Sequence, residues 1–362
     1  MAKRLTTLED LVDRQLLPGE GLADLARVAT RYAVSVTEDM AQLMDGAPQT
    51  DPIAAQFLPT LNELETHRTE AADPIGDDAH SPVPGLVHRY PDRVLLKAAS
   101  VCPVYCRFCF RREMVGPDRG QPLSEAALKR AVQYIAEQPE VCEVVVTGGD
   151  PLVMSSRRIA QISHLLAAVP HVQFVRWHTR VPVVAPDDVT PDRIAALRPR
   201  ERNLAVYVAV HANHPREFTP AAQAALARLA DSGVCLVGQT VLLRGVNDDR
   251  DVLVALMRAF VANRVKPYYL HHLDPAPGTS HFRVSLARGQ ELVRSLRGHV
   301  SGLCQPTYVV DIPGGGGKVN ATPCDVARDE DGTVLIDRNG KRHRYEQSVG
   351  SAPTDSQKSK GE

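Results

Sequence analysis

The chain has 362 residues, of which 43% are hydrophobic and 23% are charged. This composition is typical of a globular protein with a substantial core, and the length predicts two domains or one large α/β domain with additions. The 42 lysines and arginines balance 43 acidic residues, which leaves a formal charge of −1. A general nucleic-acid-binding protein needs a basic face, so this charge argues against that class.

The sequence predicts neither a membrane-spanning helix nor a secretory signal peptide. No apolar stretch approaches the roughly 20 residues that a membrane-spanning helix needs. The first residues, MAKRLTTLEDLVDRQ, become acidic too early for a secretory signal peptide. The seven cysteines are too few and too unevenly placed for a disulfide scaffold. We therefore expect a soluble, cytoplasmic protein with neither a membrane nor a nucleic acid as partner.

Residues 1–85 are expected to form a helical N-terminal region. Thr6 followed by Glu9 is typical of a helix capping box, and Asp51–Pro52 offers an N-cap followed by proline at the first helical position. The region ends in a segment rich in proline, glycine and aspartate, residues 71–85, which predicts a boundary loop.

From residue 89 onward, short apolar runs alternate with amphipathic segments. The predicted strands are 94–96, 143–146, 172–177, 205–210, 234–241 and 267–270, and the predicted helices are 125–137, 157–168, 221–230, 252–261 and 286–296. This alternation, repeated about every thirty residues, predicts right-handed parallel βαβ units. Six units predict an α/β fold with a partial (β/α)6 barrel over residues 86–300, with a doubly wound sheet as the alternative.

The remaining chain divides into two predicted parts. Residues 301–347 form a C-terminal segment in which a strand at 307–311 leads to four glycines and Lys318. Residues 348–362 are polar and lack aromatic side chains, which predicts a disordered tail.

Three cysteines lie within eight residues directly after the first barrel strand. Cys102, Cys106 and Cys109 have the spacing C-x3-C-x2-C, and loops after the carboxyl ends of parallel strands line active sites. Structural zinc needs four ligands, and no fourth cysteine or histidine follows at close spacing. Three thiolates on a 4Fe–4S cluster would leave one iron open to a cosubstrate that receives an electron. The motif therefore favours a 4Fe–4S cluster over zinc.

With Phe108 before its last cysteine, this motif resembles that of the radical S-adenosylmethionine (SAM) superfamily. The resemblance implies that the open iron binds the amino and carboxylate groups of SAM, which is then cleaved to a 5′-deoxyadenosyl radical. After the second strand come Gly148, Gly149 and Asp150. Alone they would predict a strand-to-helix turn, but beside the cysteine motif they resemble the superfamily's glycine-rich contact with SAM.

The segment VVDIPGGGGKVN is not a phosphate-binding P-loop, because that motif needs glycine at position 312 and serine or threonine at 319. The chain has Ile312 and Val319 there. Four glycines would let Lys318 approach a flat ligand, and a desolvated lysine is suited to forming a Schiff base. A flexible hairpin with a solvated lysine is the alternative.

Nine segments between His88 and Lys318 resemble lysine 2,3-aminomutase and its relatives, which combine radical SAM chemistry with pyridoxal 5′-phosphate (PLP). They are HRYPDR, CPVYCRFCFRR, TGGDPL, TRVPVV, HANHP, GQTVLLRGVND, PYYLHHLDPAPGTSHFR, LRGHVSG and VVDIPGGGGK. The resemblance implies an isomerase in which Lys318 holds PLP as a Schiff base.

The resemblance also implies roles for single residues around the cofactors. Arg89 and Arg93 match the arginines that hold the PLP phosphate, a task suited to the planar guanidinium group. Arg111 matches the arginine that receives the substrate carboxylate. His211 and Gln239 match positions near SAM, although buried polar core residues would explain them equally well.

Asp274 and Asp311 match two aspartates that bind the ε-ammonium group of lysine. A buried ammonium group is costly unless it is paired, and two facing carboxylates repel unless a cation lies between them. The pair therefore favours lysine over glutamate or alanine as substrate. Adjacent histidines at 271 and 272 would point to opposite faces of a strand, so no metal ion is assigned to them.

The leading hypothesis is a radical SAM, PLP-dependent aminomutase that converts L-lysine to β-lysine. It would need a reducing electron donor such as a flavodoxin or ferredoxin, and it could assemble as a homo-oligomer. One alternative is a relative that supplies β-lysine for, or acts in, the modification of elongation factor P. Others are a 2,3-aminomutase for another amino acid, a radical SAM enzyme without PLP, and an iron–sulfur electron carrier.

Overall fold

The computed structural model describes residues 4–115, 121–199, 204–330, 332–337 and 339–345. The chain divides into two compact units, Met1–Thr322 and Pro323–Glu362. Lys318 thus belongs to the same unit as the barrel. The boundaries expected after residues 85 and 300 lie inside this unit and stay predictions, and the tail expected at 348–362 lies outside the described residues.

The N-terminal region consists of short helices beside a small antiparallel sheet. Its strands are β1 (Arg4–Leu5) and β2 (Val36–Thr37), and its α-helices are α1 (Leu8–Asp13), α2 (Leu22–Arg31), α3 (Glu38–Ala41) and α4 (Pro52–Phe57). Two 3₁₀ turns, Leu61–Leu64 and Asp78–His80, follow. The Asp51 side chain caps α4 by accepting a hydrogen bond from the Ile53 amide, which confirms the predicted N-cap.

The first helix begins one residue later than the sequence suggested. The capping box is formed by Thr7 and Asp10 rather than by Thr6 and Glu9. With this start, Leu8 and Leu11 both point into the core and are buried. The buried leucines fix the inward face of the helix, and the Thr7–Asp10 capping box fixes its first residue.

A nine-stranded sheet forms the centre of the larger unit. Its strands are β3 (Leu86–Tyr90), β4 (Arg93–Ala99), β5 (Glu143–Gly148), β6 (Phe174–Thr179), β7 (Ala205–His211), β8 (Cys235–Leu242), β9 (Lys266–His272), β10 (Thr307–Ile312) and β11 (Gly317–Asn320). Strands β4 to β10 are parallel neighbours in chain order. Strands β3 and β11 pair antiparallel at the two edges.

Helices follow each of the six strands from β4 to β9. They are α5 (Glu125–Ala136), α6 (Ser156–Ala167), α7 (Val181–Val184), α8 (Pro191–Leu197), α9 (Pro220–Asp231), α10 (Arg250–Ala262) and α11 (Leu286–Leu296). The six predicted βα units are thereby confirmed. Because the described strands follow chain order, without the reversal that defines a doubly wound sheet, that alternative was wrong.

Strand β6 shows how the sheet makes a polar interior. Val175, Trp177 and Thr179 alternate with partly exposed residues and are buried. The intervening Arg176 and His178 line a cavity on the other face of the strand. Side chains alternate between the two faces of a strand, so the apolar residues of β6 pack in the core while its polar residues face the cavity.

The smaller unit contains a three-stranded antiparallel sheet that the sequence analysis did not predict. Its strands are β12 (Val326–Asp329), β13 (Gly332–Ile336) and β14 (Arg342–Arg344). Throughout the described part of the chain, no helix has both the length and the apolar character needed to cross a membrane.

Candidate active site

A cavity of about 380 Å³ lies against the inner face of the sheet and reaches the carboxyl ends of β5 to β10. This volume lies in the range of small-molecule binding sites. The cavity brings together every site residue predicted from the sequence: Arg89, Arg93, Cys102, Cys106, Phe108, Cys109, Arg111, Gly148, Gly149, Asp150, His211, Gln239, Asp274, Asp311 and Lys318. The cysteine motif and Lys318 therefore face one shared space.

The three motif cysteines are free thiols in the loop after β4. Burial raises the pKa of all three, to about 11 for Cys109. Among the described residues, no set of three histidine, cysteine or acidic side chains converges on a single metal ion. The cysteines of a four-iron cluster ligate different irons, so a cluster does not require such convergence. Three free thiols around one cavity fit a cluster with three protein ligands, and iron would deprotonate them on binding.

Gly148 and Gly149 let the end of β5 approach the cysteine loop. The Gly149 amide donates to the Ala99 carbonyl at 2.6 Å. A Cβ atom at Gly149 would collide with the backbone of Val101, and one at Gly148, whose φ is +111°, would collide with the Ala99 carbonyl. The two glycines thus support the cysteine loop, and their contact with SAM stays a prediction.

Asp150 joins the ends of two strands. Its Oδ1 accepts from the Thr179 hydroxyl at 2.7 Å and from the Leu152 amide at 3.0 Å, and its Oδ2 accepts from the Arg180 amide at 2.7 Å. Burial raises the pKa of this carboxyl group. Since both oxygens have protein partners, Asp150 has a bracing role that the sequence did not reveal, and its contact with SAM stays a prediction.

Arg180 contacts the cysteine motif directly but received no role from the sequence. Its Nη1 donates to Sγ of Cys106 at 2.9 Å, and its Nη2 lies 2.9 Å from Oε2 of Glu217. Nη2 also donates to Oε1 of Gln56, in the N-terminal region. TRVPVV, which contains Arg180, was one of the segments shared with the aminomutases, and this was the signal that could have marked it.

Glu63 holds a second pair of arginines beside the motif. Both of its carboxylate oxygens accept from Arg107, and Oε2 also accepts from Arg112. Although burial raises the pKa of Glu63, the two arginines hold it below its ordinary value. Arg107 and Arg112 flank Cys109, so this carboxylate fixes the loop from both sides. Glu63 lies outside every recognised segment, and no sequence signal identified it.

A second group of cavity residues, the lysine end, contains Lys318, Asp311 and Asp274, and the cysteine motif with its neighbouring ion pairs forms the cysteine end. Lys318 pairs with Asp311. The two residues are cross-strand partners in β10 and β11, and the Lys318 Nζ lies 2.8 and 2.6 Å from the two Asp311 carboxylate oxygens. The Lys318 amide donates to the Tyr90 hydroxyl oxygen at 2.6 Å. Burial, and then the charge of Asp311, raises the pKa of Asp274 to about 7. This end of the cavity therefore already accommodates an ammonium group beside two carboxyl groups.

The glycines before Lys318 pack against other residues of the protein, in addition to any contact with a flat ligand. Gly315 has a φ of +96°, and a Cβ there would lie 2.7 Å from Nε2 of His80. Gly317 has a φ of +85°, and a Cβ there would lie 2.8 Å from the Tyr90 hydroxyl oxygen. The close approach predicted for these glycines is found, but its partners are residues of the N-terminal region and β3.

Three arginines give the cavity its anion-binding character. Asp77 joins two of them, with its Oδ1 3.1 Å from Nη2 of Arg89 and its Oδ2 2.9 Å from Nη2 of Arg111. Among the described residues, the buried Nε atoms of Arg89 and Arg111 have no hydrogen-bond partner. Arg93 stacks over Tyr90 at 3.7 Å. Unpartnered guanidinium donors beside a cavity and a nearby lysine fit a phosphate-bearing aldehyde such as PLP and a substrate carboxylate.

Histidines line the middle of the cavity. Nε2 of His211 lies 3.1 Å from Oδ1 of Asn213, and burial lowers the pKa of His211 to about 3, so its ring is neutral. Gln239 contacts Nδ1 of His178 at 3.4 Å. Whether His211 and Gln239 contact SAM stays a prediction. His271 lines the cavity while His272 contacts Tyr308, so the two do point to opposite faces.

Two family models match the chain: residues 97–257 match the radical SAM superfamily, and residues 293–360 match lysine-2,3-aminomutase. The L-lysine 2,3-aminomutase of Fusobacterium nucleatum is 40% identical over 321 residues, which cover 88% of this chain and 74% of that protein. The L-lysine 2,3-aminomutase of Clostridium subterminale is 38% identical over 352 residues, or 97% of this chain and 83% of that protein. The chain belongs to the lysine 2,3-aminomutase family.

Membership of this family makes the protein an enzyme with the radical SAM fold, which implies a 4Fe–4S cluster and SAM. The resemblance seen in the sequence is thereby confirmed. A glutamate 2,3-aminomutase of Clostridioides difficile is 34% identical over 323 residues, which cover 89% of this chain and 75% of that protein. Because these relatives are named for different amino acids, the substrate of this aminomutase has to be argued from its own cavity.

Proposed function

We propose that this aminomutase converts L-lysine to β-lysine by moving the α-amino group to C3. The observation that carries the proposal is a single cavity lined by the cysteine motif, by Lys318 and by the carboxyl groups of Asp274 and Asp311. An amino-acid substrate between these groups would have its reacting carbons between a radical source and a lysine-held cofactor. Placement of that kind is the main contribution of a protein to cofactor chemistry.

Separate sets of residues are proposed to hold the cluster, SAM and PLP. The cluster would be held by Cys102, Cys106 and Cys109; SAM by Phe108, Gly148, Gly149, Asp150, His211 and Gln239; and PLP by Lys318, Arg89 and Arg93. When bound, the cluster and SAM supply a radical that removes a substrate hydrogen, and PLP supplies a π-system that supports the migrating nitrogen.

The substrate's two ends would bind to different residues. Arg111, with an unpartnered Nε, receives the α-carboxylate, and Asp274 and Asp311 receive the ε-ammonium group. In this structure Lys318 is the cation that pairs with Asp311. Its nitrogen would be the group that holds PLP, and a Lys318 bonded to the cofactor would no longer pair with Asp311 as a free ammonium group.

Charge in the cavity favours lysine over glutamate. Asp274 and Asp311 both line the cavity, and after burial the Asp311 charge is the next cause that raises the pKa of Asp274. A substrate ammonium group would relieve the repulsion between these carboxylates, whereas a substrate γ-carboxylate would increase it. A glutamate 2,3-aminomutase activity is therefore the second candidate, supported only by one relative's name.

Three further proposals concern the enzyme's surroundings. The cluster must receive single electrons, so we propose a donor such as a flavodoxin or ferredoxin. All seven cysteines are free thiols, which is typical of the reducing cytoplasm, so we propose that location.

Val319 on the edge strand β11 and Ile312 beside it are both nearly half exposed. Since exposed apolar edge strands tend to pair with another chain, we propose a homo-oligomer.

The test is anaerobic incubation of the reconstituted protein with SAM, PLP, a reductant and either L-lysine or L-glutamate, with product analysis by chromatography. We expect β-lysine from L-lysine and no β-glutamate.

Three substitutions test the residues assigned to the bound groups. Cys106→Ala should lose iron, whereas Lys318→Ala should keep iron and lose the PLP absorbance. Asp311→Asn should raise the KM for lysine while SAM cleavage continues. The proposal would be overturned if β-glutamate formed. It would also be overturned if protein loaded with the iron–sulfur cluster and PLP, and supplied with SAM, formed no β-lysine.

A further inference from the structure

A charged side chain donates a hydrogen bond to one sulfur of the cysteine motif. Nη1 of Arg180 lies 2.9 Å from Sγ of Cys106. The backbone groups of Asp150 and Arg111, which carry no net charge, act on the thiols of Cys102 and Cys109 and lower their pKa slightly against the effect of burial. The three sulfurs therefore differ, because the one on Cys106 has a cationic donor.

Arg180 is fixed in this position from several directions. Its amide donates to Asp150, its Nη2 bonds to Gln56 and Glu217, and its guanidinium lies 4.6 Å from the ring centroid of Phe57. Its side chain and that of Glu217 are almost completely buried. A donor held this firmly in a buried site keeps its orientation when the charge on the sulfur changes.

Reduction of a 4Fe–4S cluster adds one electron, so groups that favour negative charge on the ligand sulfurs make reduction easier. Hydrogen bonds to the sulfurs and nearby net charge are among the features that set cluster potentials. One terminal nitrogen of Arg180, Nη1, contacts the sulfur, and the other, Nη2, contacts the Glu217 carboxylate. Arg180 should favour the reduced cluster, and Glu217 should moderate that effect.

Building on the proposed function, we propose that Arg180 raises the reduction potential of the cluster through its hydrogen bond to Cys106, and that Glu217 limits this rise. The electron comes from an external one-electron donor, and the cluster passes from its oxidised to its one-electron-reduced form with no bond to Arg180 made or broken. Arg180 is thus a positioning and tuning residue rather than a cluster ligand.

The experiment is an anaerobic redox titration of the reconstituted protein, in which the reduced cluster is followed by electron paramagnetic resonance. Arg180→Gln removes the charge and should lower the ratio of reduced to oxidised cluster about tenfold at a fixed potential. For a one-electron couple, this corresponds to a fall of about 59 mV in the reduction potential of the cluster. Arg180→Lys should restore part of this loss. Glu217→Gln should shift the potential in the opposite direction, because it leaves the guanidinium charge uncompensated.

Arg193→Gln is the control, since it removes an arginine from a partly buried ion pair, with Asp188, in the segment that follows Arg180. The reduction potential of the cluster in Arg193→Gln should equal that of the wild type. An unchanged potential in Arg180→Gln, or shifts of the same sign in Arg180→Gln and Glu217→Gln, would overturn the inference while leaving the proposed function intact. If Arg180→Gln binds no iron, Arg180→Lys and Glu217→Gln decide, and wild-type potentials in both would overturn it. A wild-type protein without a reducible cluster would overturn both proposals.

Discussion

The two ends of the cavity are held in different ways. At the cysteine end, Glu63 binds Arg107 and Arg112 with almost no solvent exposure on any of the three side chains. At the lysine end, the Lys318 side chain is 30% exposed and lies on an edge strand. Buried ion pairs favour one fixed arrangement, whereas a lysine that is partly exposed at a sheet edge can exchange partners. The contrast matches the proposed roles, a rigid cluster loop and a lysine that changes partner.

The carboxyl groups at the two ends also differ in charge balance. Arginines hold the pKa of Glu63 and Glu217 below their ordinary values despite burial, which raises them. Burial and a neighbouring carboxylate instead raise the pKa of Asp274 to about 7. The arginines therefore balance these two glutamates without a ligand, whereas Asp150 and the motif cysteines keep raised pKa values. The lysine end keeps a strained pair of carboxyl groups, as expected for a site that a cationic ligand completes.

Glu63→Gln should have the largest effect on this contrast. The substitution leaves two buried guanidinium groups without their carboxylate, and breaking a buried ion pair in this way costs about 3–5 kcal/mol. Denaturant unfolding of the purified protein would measure this loss. Asp311→Asn is the comparison at the lysine end and should cost about 1 kcal/mol or less, because its partner is partly solvated. Equal losses would contradict the difference between the ends.

Alanine at the packed glycines should separate the two ends functionally. Gly149→Ala would push against the backbone of Val101 and should cost about 1–3 kcal/mol and reduce iron content. Gly315→Ala would push against His80 at a φ of +96° and should reduce PLP absorbance instead.

Gly302→Ala is the control for both glycine variants, because in the described part of the chain nothing lies within 4 Å of the added Cβ. Iron content and PLP absorbance are measured on the same samples. Loss of both cofactors in both variants would show that the two ends are not held independently.

A gain in stability that depends on pH is expected for a substitution of Asp274. The folded-state pKa of Asp274, about 7, exceeds its ordinary value of 3.8. Ionisation therefore costs the folded state nothing below pH 4, and the cost grows until pH 7. Asp274→Asn removes that cost, and we expect its stabilisation to be roughly 2–3 kcal/mol greater at pH 8 than at pH 5. Unfolding curves at both pH values test this, and a gain that is the same at pH 5 and pH 8 would contradict the raised pKa.

Ionisation of Asp274 lowers the stability of the folded protein, but it should strengthen the binding of the substrate. Above pH 7, Asp274 is a carboxylate and can pair with the ε-ammonium group of lysine. Lysine binding should therefore strengthen as the pH rises from 6 to 8 in the wild type. This step should disappear in Asp274→Asn. A pH step retained in the variant would assign it to another group.

Local sequence patterns predicted most of the barrel. The strands expected at 143–146 and 205–210 lie within β5 and β7, and the helix expected at 286–296 coincides with α11. These elements are long, apolar and regularly spaced, so periodicity alone indicates them. The weaker patterns gave less: the first capping box was placed one residue early, and the strands β12 to β14 were not predicted.

The sequence by itself determined the chemistry of the site, because the cysteine spacing and the glycine run before Lys318 are properties of consecutive residues. Only the tertiary structure decided which charges meet. Glu63 and Arg107 are 44 positions apart, and Arg180 and Glu217 are 37 positions apart. Their partners depend on how the N-terminal region and separate strand ends pack around one cavity, and no local pattern encodes a contact between such distant residues.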